Sequence, residues 1–401
     1  MKKIRILNDK IKFKLNNTKL NKRGMAILIA VIFALSATIT FFIAQSVKRN
    51  SVPQTAISDT DITPEPTPDG IEDSEPDSDD TEPGDEDNSG DGNITPTPSP
   101  KPVEKAIDFY FPKEGTRPIA VMIDNETNAV LPQGGLGLAQ VVYEALVEYG
   151  DTRYMALFWD NLPDYIGPVR SSRHYFLDYA MEYDAIYTHI GWSDYAYRDL
   201  DLFEIDNIDG VMPEAYGVFW DLTKDKSNYH DSYTSKERIN KFLAKSEYSL
   251  TTEKSFPLKY NTEDVTYENG DSAKEVFIKY SISSSCGYYY DEEEKNYKRT
   301  RLGEFQIDRN TNEVIRAKNI IILFVDNQTI QGDKYGRQEL NTTGSGKGYY
   351  ISNGVKQDIT WVKTFRTSQT KYLDANKKEI TINPGQTWIQ IVSPNADVRI
   401  R

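Results

Sequence analysis

From Met25 to Ala44 the chain runs twenty residues without a charge, MAILIAVIFALSATITFFIA. At the helical rise, that length matches a bilayer hydrocarbon core of about 30 Å. The pattern predicts a single membrane-spanning helix over residues 25–46, a signal anchor. It then inverts. Ser51 to Pro102 holds few aliphatic residues and no aromatic one. Such a stretch buries too little surface to offset its ordering entropy, which predicts a disordered linker over 47–104. Its prolines and like charges should extend it beyond the roughly 40 Å of a random coil of about 50 residues.

From about Ala106 the pattern becomes that of a folded body. PIAVMID (118–124) is a continuous apolar run of strand length, and VVYEALVEYG and RYMALFWD follow as further strands. Ser172 to Glu182 carries Tyr175, Phe176, Tyr179 and Ala180 at helix-face spacing, and strand-like DAIYTHIG comes next. Ser235 to Leu243 predicts another helix, capped by Ser235. Strands alternating with helices imply an α/β domain over 105–258. After Lys259 the texture changes to short Val-, Ile-, Tyr- and Thr-rich segments such as EVFIKYSI, KNIIILFVDN and QTWIQIV, separated by YENGD, ISNGV and NPGQ. Asn-Gly turns between alternating segments predict a mostly β domain over 259–401. No repeat of about 20–50 residues is visible.

Charge changes the picture only when divided by region. Residues 1–50 carry +10, residues 51–100 carry −15, and the remainder −9 of a total of −14. Nine Lys/Arg precede the apolar run, so residues 1–24 are a basic cytoplasmic head and the body lies outside the membrane. A cleaved signal peptide is the competing reading. Its basic region would be long, its apolar core exceeds about 7–15 residues, and no A-x-A site follows. The acidic body argues against a nucleic-acid partner. The single cysteine, Cys286, excludes an internal disulfide and a multi-cysteine zinc site.

The candidate chemistry centres on IGPVRSSRHYF (166–176). Between Lys101 and Lys259 there are six arginines, and two of them, Arg170 and Arg173, bracket Ser171 and Ser172 at a predicted helix start. Either serine could cap that helix. Guanidinium groups beside free helix amides bind phosphate or carboxylate, with Arg153 as a third donor. The competing reading pairs these arginines with acids such as Asp160, Asp164, Asp178 or Glu182. Asp124-Asn125 ends the first strand, where open α/β sheets place their sites, although Asp-Asn there also serves to cap a loop. Glu144 lies in an apolar run, so it faces an arginine or a pocket. His189 sits near a strand end, as a general base or a hydrogen-bonded structural group. GSGKG (344–348) fails the phosphate-loop pattern and reads as a turn between strands. No H-E-x-x-H or G-x-S-x-G occurs, and the expectation is no metal and no cofactor.

RPIAVMIDN, VVYEALVEYGDTRYMALF, IGPVRSSRHYF, EYDAIYTHIG, AKNIIILFVDN, GSGKGYY and NPGQTWIQIV together resemble the YerB-like family, bacterial proteins named as lipoproteins and built of two adjacent domains of unknown function. The resemblance covers roughly residues 106–396 and implies the same two-domain division. It supplies no activity and no catalytic residue. The chain departs from the family pattern in having an apolar segment instead of a lipidated cysteine, and at Gln140, His174 and Trp192. A weaker, architectural similarity is to LytR–CpsA–Psr wall-polymer transferases, which hold a lipid-linked pyrophosphate with arginines and Mg²⁺ with carboxylates.

These readings converge on a single-pass cell-envelope protein that binds an anionic ligand through Arg153, Arg170 and Arg173. The rivals are a Mg²⁺-assisted phosphoryl-polymer transferase using Asp124, and a scaffold that binds a protein partner.

Overall fold

A computed structural model describes residues 109–268 and 270–401. The expected basic head, membrane helix (25–46) and linker (47–104) lie outside the described residues. Among the described residues, no helix is long and apolar enough to cross a membrane.

The body is β-rich. Strands β1 (Ile119–Asp124), β2 (Val141–Leu146) and β3 (Thr152–Phe158) come first. Helix α1 (His174–Ala180), β4 (Ile186–His189), α2 (Asp194–Leu202), β5 (Asn207–Asp209) and α3 (Lys236–Leu243) follow. Every residue of β1 and β3 is buried, which is why these strands read as continuous apolar runs instead of alternating ones. The expected serine cap of α3 is present, with the Ser235 side chain accepting from Arg238 N–H. At α1 the expectation fails. Arg173 occupies the cap position with no side-chain cap, and Ser172 Oγ is buried without a hydrogen-bond partner.

The main sheet runs 371–373, 355–363, 344–352, 319–324, 387–392, β2, β3, β1, β4, β5. Strands from both sides of residue 259 therefore share one sheet. Thr387–Val392 lies parallel to β2 on one side and to Asn319–Phe324 on the other. A second, six-stranded sheet contains 275–279, 285–291, 296–301 and 397–400. After residue 259 the described residues form strands and no α-helix.

Alternation along β1 sends its side chains into two cores. Ile119, Val121 and Ile123 join Val142, Tyr154 and Trp388 against Val276 and Ile278 of the second sheet. Ala120 and Met122 join Tyr143 and Met155 against Phe176 and Tyr179 of α1. Full burial of each large apolar side chain stabilises the fold by about 1.5–3 kcal/mol. The main sheet is thus covered by a sheet on one face and a helix on the other.

GSGKG is not a turn. It opens the nine-residue strand Gly344–Ser352. Gly346 pairs with Trp361, whose indole lies so close that a Cβ on Gly346 would sit 2.5 Å from it. Glycine is needed there for packing. The predicted ISNGV turn does form, with Asn353 and Gly354 both at positive φ between 344–352 and 355–363. Cys286 is buried, and its thiol donates to Gln390 Oε1 at 3.2 Å. Burial pushes that thiol far up, which makes it inert.

Candidate functional site

One end of the main sheet gathers the charged residues. β1 runs antiparallel to β3 and parallel to β4, and the register sets Asp124 opposite Arg153. The segment before α1 crosses this end, with Arg170 N–H donating to Met122 O and Asp124 N–H to Pro168 O. Backbone pairing therefore brings Asp124, Arg153 and Arg170 together before any side chain contributes.

Asp124 is fully buried. Its Oδ1 accepts from Glu126 N–H at 3.0 Å. Its Oδ2 lies 3.0 Å from Arg170 Nε and 2.7 Å from His230 Nδ1. Burial pushes the Asp124 carboxyl up, but the His230 hydrogen bond and the Arg170 and Arg153 charges outweigh it and hold it below the usual range. The same hydrogen bond raises His230 above an ordinary histidine, against a smaller burial effect.

Glu126 is the centre of the rim. Its Oε1 takes Arg153 Nη2, and its Oε2 takes Arg170 Nη2 at 2.5 Å. Two guanidinium groups thus converge on one carboxylate. The Glu126 and Arg170 side chains are each 21% exposed, whereas Arg153 is 1% exposed beneath them. Arg153 also donates to Ser171 O at 2.8 Å. Arg173 stands apart from this seat. It grips Glu148 with two bonds, Nε to Oε1 at 2.5 Å and Nη2 to Oε2 at 2.8 Å. The expected Arg170–Arg173 pair is therefore replaced by Arg170–Arg153, and the acids engaged are Asp124, Glu126 and Glu148, none of the four named from sequence.

The remaining expected site residues lie in the interior. Asn125 donates to Thr152 Oγ1 at 2.6 Å and accepts from Arg301 Nε at 2.5 Å. Glu144 is held by Arg299 Nη2 at 2.6 Å and by the Thr152 hydroxyl at 2.8 Å. His189 is fully buried, with Nδ1 donating to Gly191 O at 2.8 Å and Asp209 3.7 Å away. Burial lowers its pKa, with Asp209 opposing. Asn125, Glu144 and His189 thus support the fold and do not face solvent.

Reading the sequence missed Glu126, His230, Arg299 and Arg301. Glu126 adjoins RPIAVMIDN and was open to the same argument as Asp124, whereas Glu148 lies inside VVYEALVEYG, two strand periods after Glu144. His230 lies 106 positions from its partner, with no local signal. Among the described residues, Asp124, Glu126 and His230 are the acid/histidine group close enough to hold a metal ion. Both Asp124 oxygens are already engaged and two guanidinium groups adjoin, so the donor set suits cations of the protein itself better than a metal.

With this geometry in place, the class of protein follows from comparison. The chain matches "Protein of unknown function (DUF3048)", with the N-terminal domain over residues 111–249 and the C-terminal domain over 276–389, and it belongs to that family. It is 32% identical over 284 residues to "Putative lipoprotein YerB" of Bacillus subtilis (strain 168), covering 70% of this chain and 82% of that one. The crystal structure of the YerB protein from Bacillus subtilis is similar, with 30% identity and a TM-score of 0.62 over 71% of this chain and 94% of the other.

Proposed function

We propose that the chain is a membrane-anchored, extracytoplasmic cell-envelope protein whose body binds an anionic ligand at the Arg153–Arg170 seat. Placement outside the membrane rests on the uncharged Met25–Ala44 run behind nine basic residues. The name of the Bacillus relative, a lipoprotein, accords with a membrane-held body.

A single observation carries the binding site. Glu126, a partly exposed residue just past the end of β1, already fills the seat with its own carboxylate, one oxygen on each guanidinium. The arrangement fits a carboxylate or phosphate oxygen pair. A ligand anion would displace Glu126 outward while Arg153 stays fixed from below. Arg173 is engaged by Glu148, and Ser171 O accepts from Arg153, so this reading assigns the ligand contacts to Arg153 and Arg170.

The test is calorimetric titration with inorganic pyrophosphate. Glu126→Ala should bind it more tightly than the parent, since the internal competitor is gone, and Glu126→Ala/Arg170→Ala should lose the gain. Equal affinity in all three would remove the seat. Mg²⁺ added to the titration distinguishes the transferase reading, which requires tighter binding with the metal through Asp124.

A further inference from the structure

A cleft elsewhere in the body contains none of the rim residues. It lies between α1 and the hairpin formed by strands Asn327–Thr329 and Gln338–Leu340, and encloses about 500 Å³. That is room for a small ligand.

Its floor is rigid. His174 and Asp178 are one turn apart on the same face of α1. Asp178 is 2% exposed and takes Arg366 Nε at 2.7 Å and the Thr342 hydroxyl. Arg366 is also bound to Asp199 Oδ2 at 2.7 Å. His174 is 6% exposed, and its Nδ1 has no hydrogen-bond partner. Its Nε2 lies 3.2 Å from Glu339 Oε2, which leaves Nδ1 as the ring atom without a partner. A buried polar atom left so is unusual, and this one lines the cleft.

The walls narrow the ligand class. Of the eleven lining residues only Leu340 has an apolar side chain, so an apolar ligand gains nothing here. Asp326 and Glu339 add negative charge, and the one arginine is shared between Asp178 and Asp199. An anion is therefore repelled. A metal ion is excluded for another reason. Among the described residues these carboxylates do not converge as those of Asp124 and Glu126 do. They are spread around the space, interleaved with the amides of Asn327 and Asn341 and the Thr343 hydroxyl. Spaced acceptors and amides match a ligand with several hydroxyl or amino donors.

We propose that this cleft binds a saccharide. Asp326 and Glu339 accept from its hydroxyl or amino groups, the amides of Asn327 and Asn341 complete its polar contacts, and His174 meets it from the floor.

The test uses the full-length chain and two disaccharide probes, N,N′-diacetylchitobiose and its deacetylated, cationic counterpart chitobiose, followed by ligand-observed NMR. Both should bind, chitobiose more tightly because two carboxylates face the space. Asp326→Ala/Glu339→Ala should weaken both by roughly tenfold or more, as expected for losing charged acceptors. Both positions are exposed, and an unchanged melting temperature would show that the variant is folded. Arg170→Ala should leave saccharide binding intact, which separates this cleft from the anion seat. The proposal is overturned if neither disaccharide binds at millimolar concentration. It is also overturned if the folded double variant binds like the parent, or if spermidine binds while neither sugar does.

Discussion

Two glutamate–arginine assemblies grow from the same sheet, and their surroundings give them different work. Glu144 and Arg299 meet at 2.6 Å with side chains 3% and 0% exposed. Arg299 lies over the Trp388 ring at 4.2 Å, with Tyr154 and Tyr288 beside it. Glu126 meets Arg170 at the solvent edge, with the buried Arg153 beneath it. In the dry assembly no water can replace a lost partner, so each charge depends on the other. At the rim, water and screening make the same contact replaceable. The dry pair joins a strand of the N-terminal span to one of the second sheet. The wet one can exchange its carboxylate for a ligand's.

The largest way to break this contrast is Arg299→Ala. It leaves Glu144 buried without its cation and empties the space over Trp388. The expected loss is about 3–5 kcal/mol of unfolding free energy, read from urea denaturation. Glu126→Gln measured beside it should cost about 1 kcal/mol or less. If the two variants lose the same stability, burial does not separate the assemblies.

Arg173→Ala probes the intermediate case. Glu148 is buried and holds Arg173 through two bonds. Burial pushes the Glu148 carboxyl up, but Arg173 outweighs this and keeps it low. Removing the arginine should cost about 1.5–3 kcal/mol, as for a hydrogen bond to a charged group. The loss should lie between those of Arg299→Ala and Glu126→Gln. A cost below that of Glu126→Gln would show that proximity to the rim, and not burial, decides.

How far this was legible in the sequence depends on distance along the chain. β1, β2, β3 and α3 could be read because burial on both faces, or a serine cap, leaves a local pattern. α2 was missed because only Ala196 and Leu200 give it a buried apolar face. Its Ser193 cap, which accepts from Ala196 N–H, was the available signal. At the site, the arginines stood out through scarcity. Their partners did not, because Arg170 meets Glu126 across 44 positions and Asn125 meets Arg301 across 176. Pairing of that kind is set by strand order, and strand order here interleaves the two halves of the chain. GSGKG shows the opposite error, a glycine pattern read as a turn when a tryptophan on the next strand required the missing side chain at Gly346.

The smallest effect sharpens the rim itself. His230 faces Asp124, with Arg170 and Glu126 the other charged groups acting on it. The fold raises its pKa above 6.5, so the protonated ring adds stability that is fully present below about 6.5 and lost as pH rises through the raised native value. Asp124, lowered from 3.8, behaves oppositely: its contribution is present above about 3.8 and lost as pH falls through its native value. The two overlap in mildly acidic solution, where the pair is charged on both sides. His230→Gln keeps a donor but no titratable charge. Its melting temperature should therefore fall below the parent's most between about pH 5 and 6, by an amount equivalent to about 1 kcal/mol or less. The gap should narrow steadily above neutrality. A gap that widened with pH would mean that His230 docks as a neutral ring, and that Asp124 owes its low pKa to the arginines alone.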